Sequence, residues 1–409
     1  MAFSKYDLMR LTSSEPFWLV KNGIIHSYPS LDRNIETDIV IIGAGITGSL
    51  IAHQCIADGY KTVIIDKREV CHGSTSATTS MLQYEIDKPL YELINLIGEE
   101  GAVLSYKACF DSIDQLQSLS KSIKSTCGFT KKESLYFASR KKDVAWLKKE
   151  FEARQKHGFP VKWLDGAAIK NAYQLESAHG GILSDQGGSI DAFQMAHDLL
   201  HYNHKKGLQI FDKTDVVDIK YRSKDVVIHT EFDNTIKAKK VIFCNGFEST
   251  EIIPEKIVNL LSTYAVVGEQ NEDDQSHIEN TLFWNTADPY NYMRTTDDKR
   301  LLIGGEDEDF VNADKRDALL KKKSAKLEKV VEKILPKYNF RVDFGWAGTF
   351  GETKDGLPYI GKHPEFKNAY FVLGFGGNGI TFSAIGMDMV SAMLKDQPHE
   401  LSEYFKFGR

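Results

Sequence analysis

The sequence predicts an α/β protein in which a parallel-sheet unit is interleaved with a second domain of mixed antiparallel-sheet α+β type. Three observations point there. An apolar strand (TDIVIIG), a glycine turn, a helix to about Gly59 and a second strand (KTVIID) follow one another from Thr37 to Asp66; continuous apolar runs of this kind belong to strands buried on both faces. LQIFDKTDVVDIKYRSKDVVIHTEFDNTIKAKKVIFCNG is rich in β-branched residues broken by polar turns, which reads as a β-meander and a further strand. The chain then returns to strand, glycine turn and helix in YFVLGFGGNGITFSAIGMDMVSAML, so one domain gathers separated segments.

The remaining elements fit around that frame. Residues 1–36 show little periodicity and read as an N-terminal extension. Leu90 to Ser125 has helical spacing, ESLYFASR reads as a strand, and DVAWLKKEFEARQKHG and DAFQMAHDLLHYNHKKG read as helices closed by their glycines. STYAVVG, TLFW, YNYMR and RLLIGG are strands, and DKRDALLKKKSAKLEKVVEKI is a solvated amphipathic helix. The expected division is 37–88, 156–250 and 340–396 for the first domain, with 89–155 and 251–339 for the second.

Gly43, Gly45 and Gly48 form GAGITG between the first strand and its helix. In a Rossmann-like dinucleotide-binding domain the first glycine permits the tight turn and the second lets backbone approach a pyrophosphate. The third packs helix on strand, and the helix N-terminus offers amide donors. Asp66 ends the second strand roughly 20 residues on, where a carboxylate accepts ribose hydroxyls. That unit alone does not separate a flavin from a nicotinamide dinucleotide. The following KREVCHGSTSATTSML is small and hydroxyl-rich, suited to lie along a ribityl chain and pyrophosphate, and so favours flavin.

Composition narrows the class of partner. Net charge is −6, from 57 acidic and 51 basic residues, which disfavours a nucleic-acid partner because such proteins carry a basic stripe. No apolar run is long enough to span a membrane, and the N-terminus lacks a secretory signal pattern. The cysteines, 5 in number and scattered, read as reduced thiols in a cytoplasmic protein, with neither a disulfide frame nor a metal site.

GSTSATTSML, HGGILSDQGGSIDAFQMAHDLL, WAGTFGETKDGLPYIGKHPE and FVLGFGGNGITFSAIG resemble, in order, the signatures of the D-amino-acid oxidase and glycine oxidase family. The resemblance covers nearly all of the chain from about Thr37. It implies an FAD-binding domain of the glutathione-reductase-2 type and a substrate domain. It also implies FAD contacts at Gly43, Gly45, Gly48, Asp66, Lys67, Ser74, Thr75, Ser76, Thr78, Val216 and Gly246. Gly376, Gly377, Asn378, Gly379 and Ile380 would form a turn whose amides face the flavin's pyrimidine edge.

Departures from the family pattern carry information too. Ser76 and Gly348 stand where some relatives attach FAD through a histidine or a cysteine, so FAD is expected to be non-covalent, with His72 and Cys71 structural. Phe350 stands where amino-acid oxidases of the family place the arginine that holds the substrate α-carboxylate, and Leu302 where sarcosine-oxidase relatives carry a lysine that promotes reaction with oxygen. Expected pocket walls are Tyr264, Tyr290, Tyr292, Arg294, Trp346, Phe350 and Glu352, with Arg294 the strongest polar candidate and Glu352 a partner for a cationic amine. The implied chemistry is oxidation of the C–N bond of a small amine or N-substituted amino compound. The alternatives are a glycine or D-amino-acid oxidase anchored by Arg294, and a flavin-dependent tRNA-modifying relative.

Overall fold

The computed structural model describes residues 9–13, 15–271 and 275–409. In chain order the strands are β1 (Ile35–Ile42), β2 (Thr62–Ile65), β3 (Met81–Gln83), β4 (Thr130–Phe137), β5 (Val161–Asp165) and β6 (Gly180–Ser189). Next come β7 (Gln209–Phe211), β8 (Val216–Tyr221), β9 (Val226–Thr230), β10 (Thr235–Phe243), β11 (Asn259–Gly268) and β12 (Thr281–Asn285). The last are β13 (Tyr292–Thr295), β14 (Leu301–Glu308), β15 (Val342–Glu352), β16 (Tyr359–Lys362) and β17 (Ala369–Leu373).

The first sheet runs β16-β17-β10-β1-β2-β7, and β9 and then β8 extend from β10. Its centre is parallel, β1 lying between β10 and β2 with Val40 opposite both Val241 and Val63. Helices cover one face: α2 (Ile46–Ala57) and the helix Gly379–Leu394 share a core with Ile39, Ile41 and Ile64. On the other face Val40, Val63 and Val241 pack with residues of the β8–β9 ribbon. Burial on both sides explains the unbroken apolar runs.

The second sheet runs β15-β11-β14-β13-β12-β4-β6-β3, with β5 beside β6. It is antiparallel except where β12 runs parallel to β4. The helix Ala313–Ile334 buries Leu327, Val331 and Ile334 against one face, and its lysines lie mainly on the other side of the helix.

The structure alters the expected division of the chain between the two sheets. β5 and β6, from within residues 156–250, and β15, from within 340–396, hydrogen-bond in the second sheet, as does β3 from within 37–88. Alternation of apolar residues marks a strand but not the sheet it joins; here β15 pairs with β11 along its whole length. The stretch of helical spacing from Leu90 to Ser125 forms two helices, Leu90–Ile97 and Glu99–Ser122, because Gly98 adopts φ +86° between them.

The N-terminal extension is part of the fold. Residues 1–8 and Ser14 lie outside the described residues. Thr12 bridges Gly348, Ser13 N donates to Ala347 O (2.8 Å), and Thr349 N donates to Leu11 O (2.7 Å), adding a short segment to the edge at β15. Pro16 then starts α1 (Phe17–Asn22), where a missing N–H costs nothing. Phe17 and Trp18 of α1 are buried, Phe17 stacking on Trp346.

Gly48 makes the closest helix-to-turn contact: a Cβ there would sit 1.8 Å from Gly43 O. Gly48→Ala must therefore push α2 off the turn, at a cost of about 1–3 kcal/mol. The expected result is a lower Tm by calorimetry; an unchanged Tm would show that the turn yields freely.

Candidate active site

A cavity of about 330 Å³ lies between the two sheets. The first sheet contributes the turn after β1, the end of β2 and the ends of β8 and β10; the second contributes β11, β13 and β15. Gly43 takes φ +101°, and a Cβ on it would lie 2.6 Å from Cys244 O, so the β1–α2 turn tolerates only glycine. Gly45 leaves room for Thr75, whose Oγ1 accepts the amide of Ile46 at the α2 N-terminus (2.9 Å).

Asp66 lies on the cavity wall and accepts from Ala44 N (2.8 Å) and Arg68 N (2.9 Å). Burial, only partly offset by these two amides, raises its pKa to about 6. Glu248 gathers Lys67 Nζ (2.9 Å) and both terminal nitrogens of Arg68 (2.6 and 3.2 Å). Among the described residues Lys67 and Arg68 are the only cations lining the cavity.

The hydroxyl-rich segment after β2 is held by its carbonyls. Trp346 Nε1 donates to Ala77 O (2.8 Å), Trp18 Nε1 to Thr78 O (2.5 Å) and Arg294 Nε to Thr79 O (2.7 Å). With those acceptors taken, Ser74, Thr75, Thr78 and Thr79 line the cavity.

One face of the second sheet closes the other side. Trp346, Gly348 and Phe350 alternate onto it along β15, opposite Ala265, Thr263 and Leu261 of β11. The Ala265 row continues to Gly304 and Tyr292. A Cβ on Gly304 would meet the Tyr292 ring at 2.4 Å, so this glycine lets the ring lie flat across the strand.

Most of the expected cofactor residues converge here: Gly43, Gly45, Asp66, Lys67, Ser74, Thr75, Thr78, Val216, Gly246, Gly376, Gly377, Gly379 and Ile380 all line the cavity. Gly48, Ser76 and Asn378 do not. Gly48 packs on the turn, Ser76 Oγ returns to Gly73 O (2.8 Å), and Asn378 Nδ2 donates to Gln83 O (2.9 Å). The amides of Gly376 and Gly377 already have acceptors, Gly351 O and Asp87, which leaves the first-turn amides of the helix Gly379–Leu394 to face the cavity.

Arg294 is not a pocket residue. Its guanidinium donates to the carbonyls of Thr79, Thr295 and Ile190 and stacks over Trp18 at 5.5 Å. It makes no ion pair among the described residues, and burial lowers its pKa to about 10, so it stays charged. Leu302 sits opposite Arg294 in β14, fully buried in the core it shares with Phe17 and Trp18. Glu352, at the end of β15, is exposed and off the lining. Phe350, Tyr264, Tyr290, Tyr292 and Trp346 do line the cavity.

Sequence reasoning missed Leu11, Gln83 and Asn245. Gln83 Nε2 and Asn245 Oδ1 belong to cavity walls, are shut from solvent and have no partner among the described residues. Together with the glycine cradle at Gly43 and Gly45 they fit a bound dinucleotide. A buried aromatic pair after Pro16 was the available signal for Leu11; nothing local marks the other two. No histidine of the described residues lines the cavity, and the lining thiol, Cys244, is pushed far up by burial and poorly reactive.

Asp66→Ala should weaken FAD binding about tenfold or more, since hydrogen bonds to a charged group contribute about 1.5–3 kcal/mol; unchanged affinity in a flavin-fluorescence titration would remove Asp66 from the site. Acid precipitation of holoprotein should release all FAD into the supernatant, because no histidine or reactive thiol is placed to bond it. Colour retained in the washed pellet would contradict this.

Comparison with known proteins bears on the whole chain. A protein named for a Rieske 2Fe-2S centre in Bacillus subtilis (strain 168) is 26% identical over 233 residues, 57% of this chain but 44% of that protein. Gamma-glutamylputrescine oxidoreductase of Escherichia coli (strain K12) is 21% identical over 385 residues, 90% of this chain and 86% of that enzyme. The crystal structure of glycine oxidase from Geobacillus kaustophilus superposes with a TM-score of 0.77 at 20% identity, covering 92% of this chain and 99% of that one. The family model described as FAD dependent oxidoreductase matches residues 38–392, both sheets and the cavity between them included, and the chain therefore belongs to this DAO family of FAD enzymes.

Proposed function

We propose that the protein oxidises the C–N bond of a small amine, or of an N-substituted amino compound whose carboxylate is absent or remote. Bound FAD supplies the hydride acceptor, at N5; the chain itself binds, orients and desolvates the substrate. One observation carries this reading: no cation of the described residues lines the cavity on the second-sheet side, where Phe350 stands with Tyr290 and Tyr292. Lys67 and Arg68 follow β2 of the first sheet and are both bonded to Glu248. A substrate carboxylate desolvated against this aromatic wall would have no bidentate partner, which is costly.

The idea of an amino-acid oxidase with a relocated anchor rested on Arg294, which does not line the cavity and whose donors are spent on backbone carbonyls. A relative named for gamma-glutamylputrescine supports an amine donor. The reading extends to a small-molecule substrate without a nucleic-acid partner. The cysteines, all free and buried, support a cytoplasmic location. No helix among the described residues is long and apolar enough to cross a membrane.

In anaerobic screening, an amine should bleach the flavin while glycine and D-alanine leave it oxidised. Phe350→Arg should gain amino-acid binding, since a buried charge-assisted contact accounts for roughly 2–5 kcal/mol. Rapid bleaching of the unmodified enzyme by glycine would overturn the proposal. Reduced flavin should also pass electrons to a dye faster than to dissolved oxygen, because no lysine of the described residues lines the cavity on the second-sheet side; fast air oxidation in stopped flow would contradict this.

A further inference from the structure

An amine gives up hydride only when neutral, whereas a second amino group on the same molecule can stay protonated and serve as a handle. Such a handle needs a carboxylate, and the aromatic wall has none. Among the described residues the carboxylates that line the cavity are Asp66, Asp215, Glu248 and Glu251, which flank β2, β8 and β10 of the first sheet. Glu352, expected to meet a cationic amine, lies off the lining.

One further carboxylate reaches the cavity rim. Asp87, a few residues after β3, is exposed and accepts the Gly377 amide, at 3.1 Å from Oδ2 and 3.3 Å from Oδ1. Gly376 and Gly377 line the cavity, and neither has a side chain to cover the carboxylate. A Cβ on Gly376 would collide with Asp87 Oδ2; one on Gly377 would stand 2.9 Å from Oδ1 and 3.8 Å from the Tyr290 hydroxyl. Tyr290 lines the cavity, its ring centre 5.7 Å from that of Tyr292. A carboxylate and a tyrosine hydroxyl thus flank one lining glycine, where the segment after β3 meets the turn before the helix Gly379–Leu394.

We propose that Asp87 holds the protonated far end of a substrate with two amino groups while the other, neutral, is oxidised in the cavity, a proposal that rests on the amine reading above. The substrate class is then the aliphatic diamines. An ammonium has three donors and no acceptor, and Asp87 and the Tyr290 hydroxyl offer it oxygens on either side of Gly377. Asp87 sets specificity; it takes no proton and no bond to it forms or breaks.

The surroundings of Asp87 suit an anchor. The charged groups near it are Glu352, Asp307 and Lys88, and it forms an ion pair with none of them. Its one hydrogen-bond donor among the described residues is a backbone amide, so the carboxylate keeps room for a cation. At an exposed rim the attraction is screened by salt. The anchoring role also separates from the structural one: asparagine keeps a side-chain oxygen for the Gly377 amide and loses only the charge.

The test uses anaerobic FAD-loaded enzyme with putrescine and n-butylamine as probes, which share a carbon chain and differ by one amino group. Binding is read by calorimetry and bleaching by the flavin spectrum. The unaltered enzyme should bind the diamine about tenfold or more tightly than the monoamine, with the advantage shrinking at high salt. Asp87→Asn should lower that ratio by about tenfold. The ratio carries the result, because a loosened turn would weaken both amines alike. Should Asp87→Asn fail to fold, Tyr290→Phe, which spares the Gly377 contact, decides in its place by the same fall. No diamine advantage in the unaltered enzyme, or an unchanged ratio in the variant, overturns the anchor. A diamine that binds through Asp87 yet never reduces the flavin counts against amine oxidation and leaves the anchor standing. Bleaching by both amines with equal affinity sustains amine oxidation and removes the anchor.

Discussion

The arrangement of the cavity depends on the capture of consecutive carbonyls, those of Ala77, Thr78 and Thr79, by Trp346, Trp18 and Arg294. An irregular segment between two sheets carries backbone groups that no ladder satisfies, and leaving them unpaired in a core is costly. Two indole N–H groups and a guanidinium meet that need from the core side, and Ser74, Thr75, Thr78 and Thr79 of the same segment line the cavity. Arg294 can stay charged without an ion pair because carbonyl dipoles and the Trp18 ring surround it.

The partners of this clamp come from distant parts of the chain, and the N-terminal segment decides where the site stops. The second-sheet face that forms the cavity wall continues past Gly304 and Trp346 to a row containing Phe344, Val267, Leu302 and Arg294. Phe17 and Trp18 share a core with that row. Positions two residues apart on one strand face thus have different fates. Gly304 opens onto Tyr292 and the cavity, while Leu302 is sealed in core. The cavity wall on this sheet is confined to the rows of Trp346, Gly348 and Phe350.

Much of this was legible in the residues, and the boundary of legibility has a physical cause. Gly43, Gly45 and Asp66 act through local geometry and were marked by spacing, while Ser74, Thr75 and Thr78 were marked by the family resemblance; all of these line the cavity. Phe350 was marked by the family resemblance, and period-2 alternation along β15 puts it on the face it shares with Trp346. Arg294 was misplaced because its role is set by α1, some 270 residues earlier and weakly periodic. The sheet membership of β5, β6 and β15 was hidden for a related reason: hydrogen-bond partners across a sheet leave no trace in a strand's own pattern.

The connectivity also governs how the molecule can be made. The first sheet needs β17 beside β10, and the second needs β15 beside β11, so neither is complete until strands from the last quarter of the chain have been synthesised. β4 must likewise wait for β12 before it gains its parallel neighbour. Pairings that close such long loops form slowly and leave strand edges open in the meantime. The emerging chain therefore spends a long interval with apolar edges exposed, and assembly of the two halves is a late, joint event.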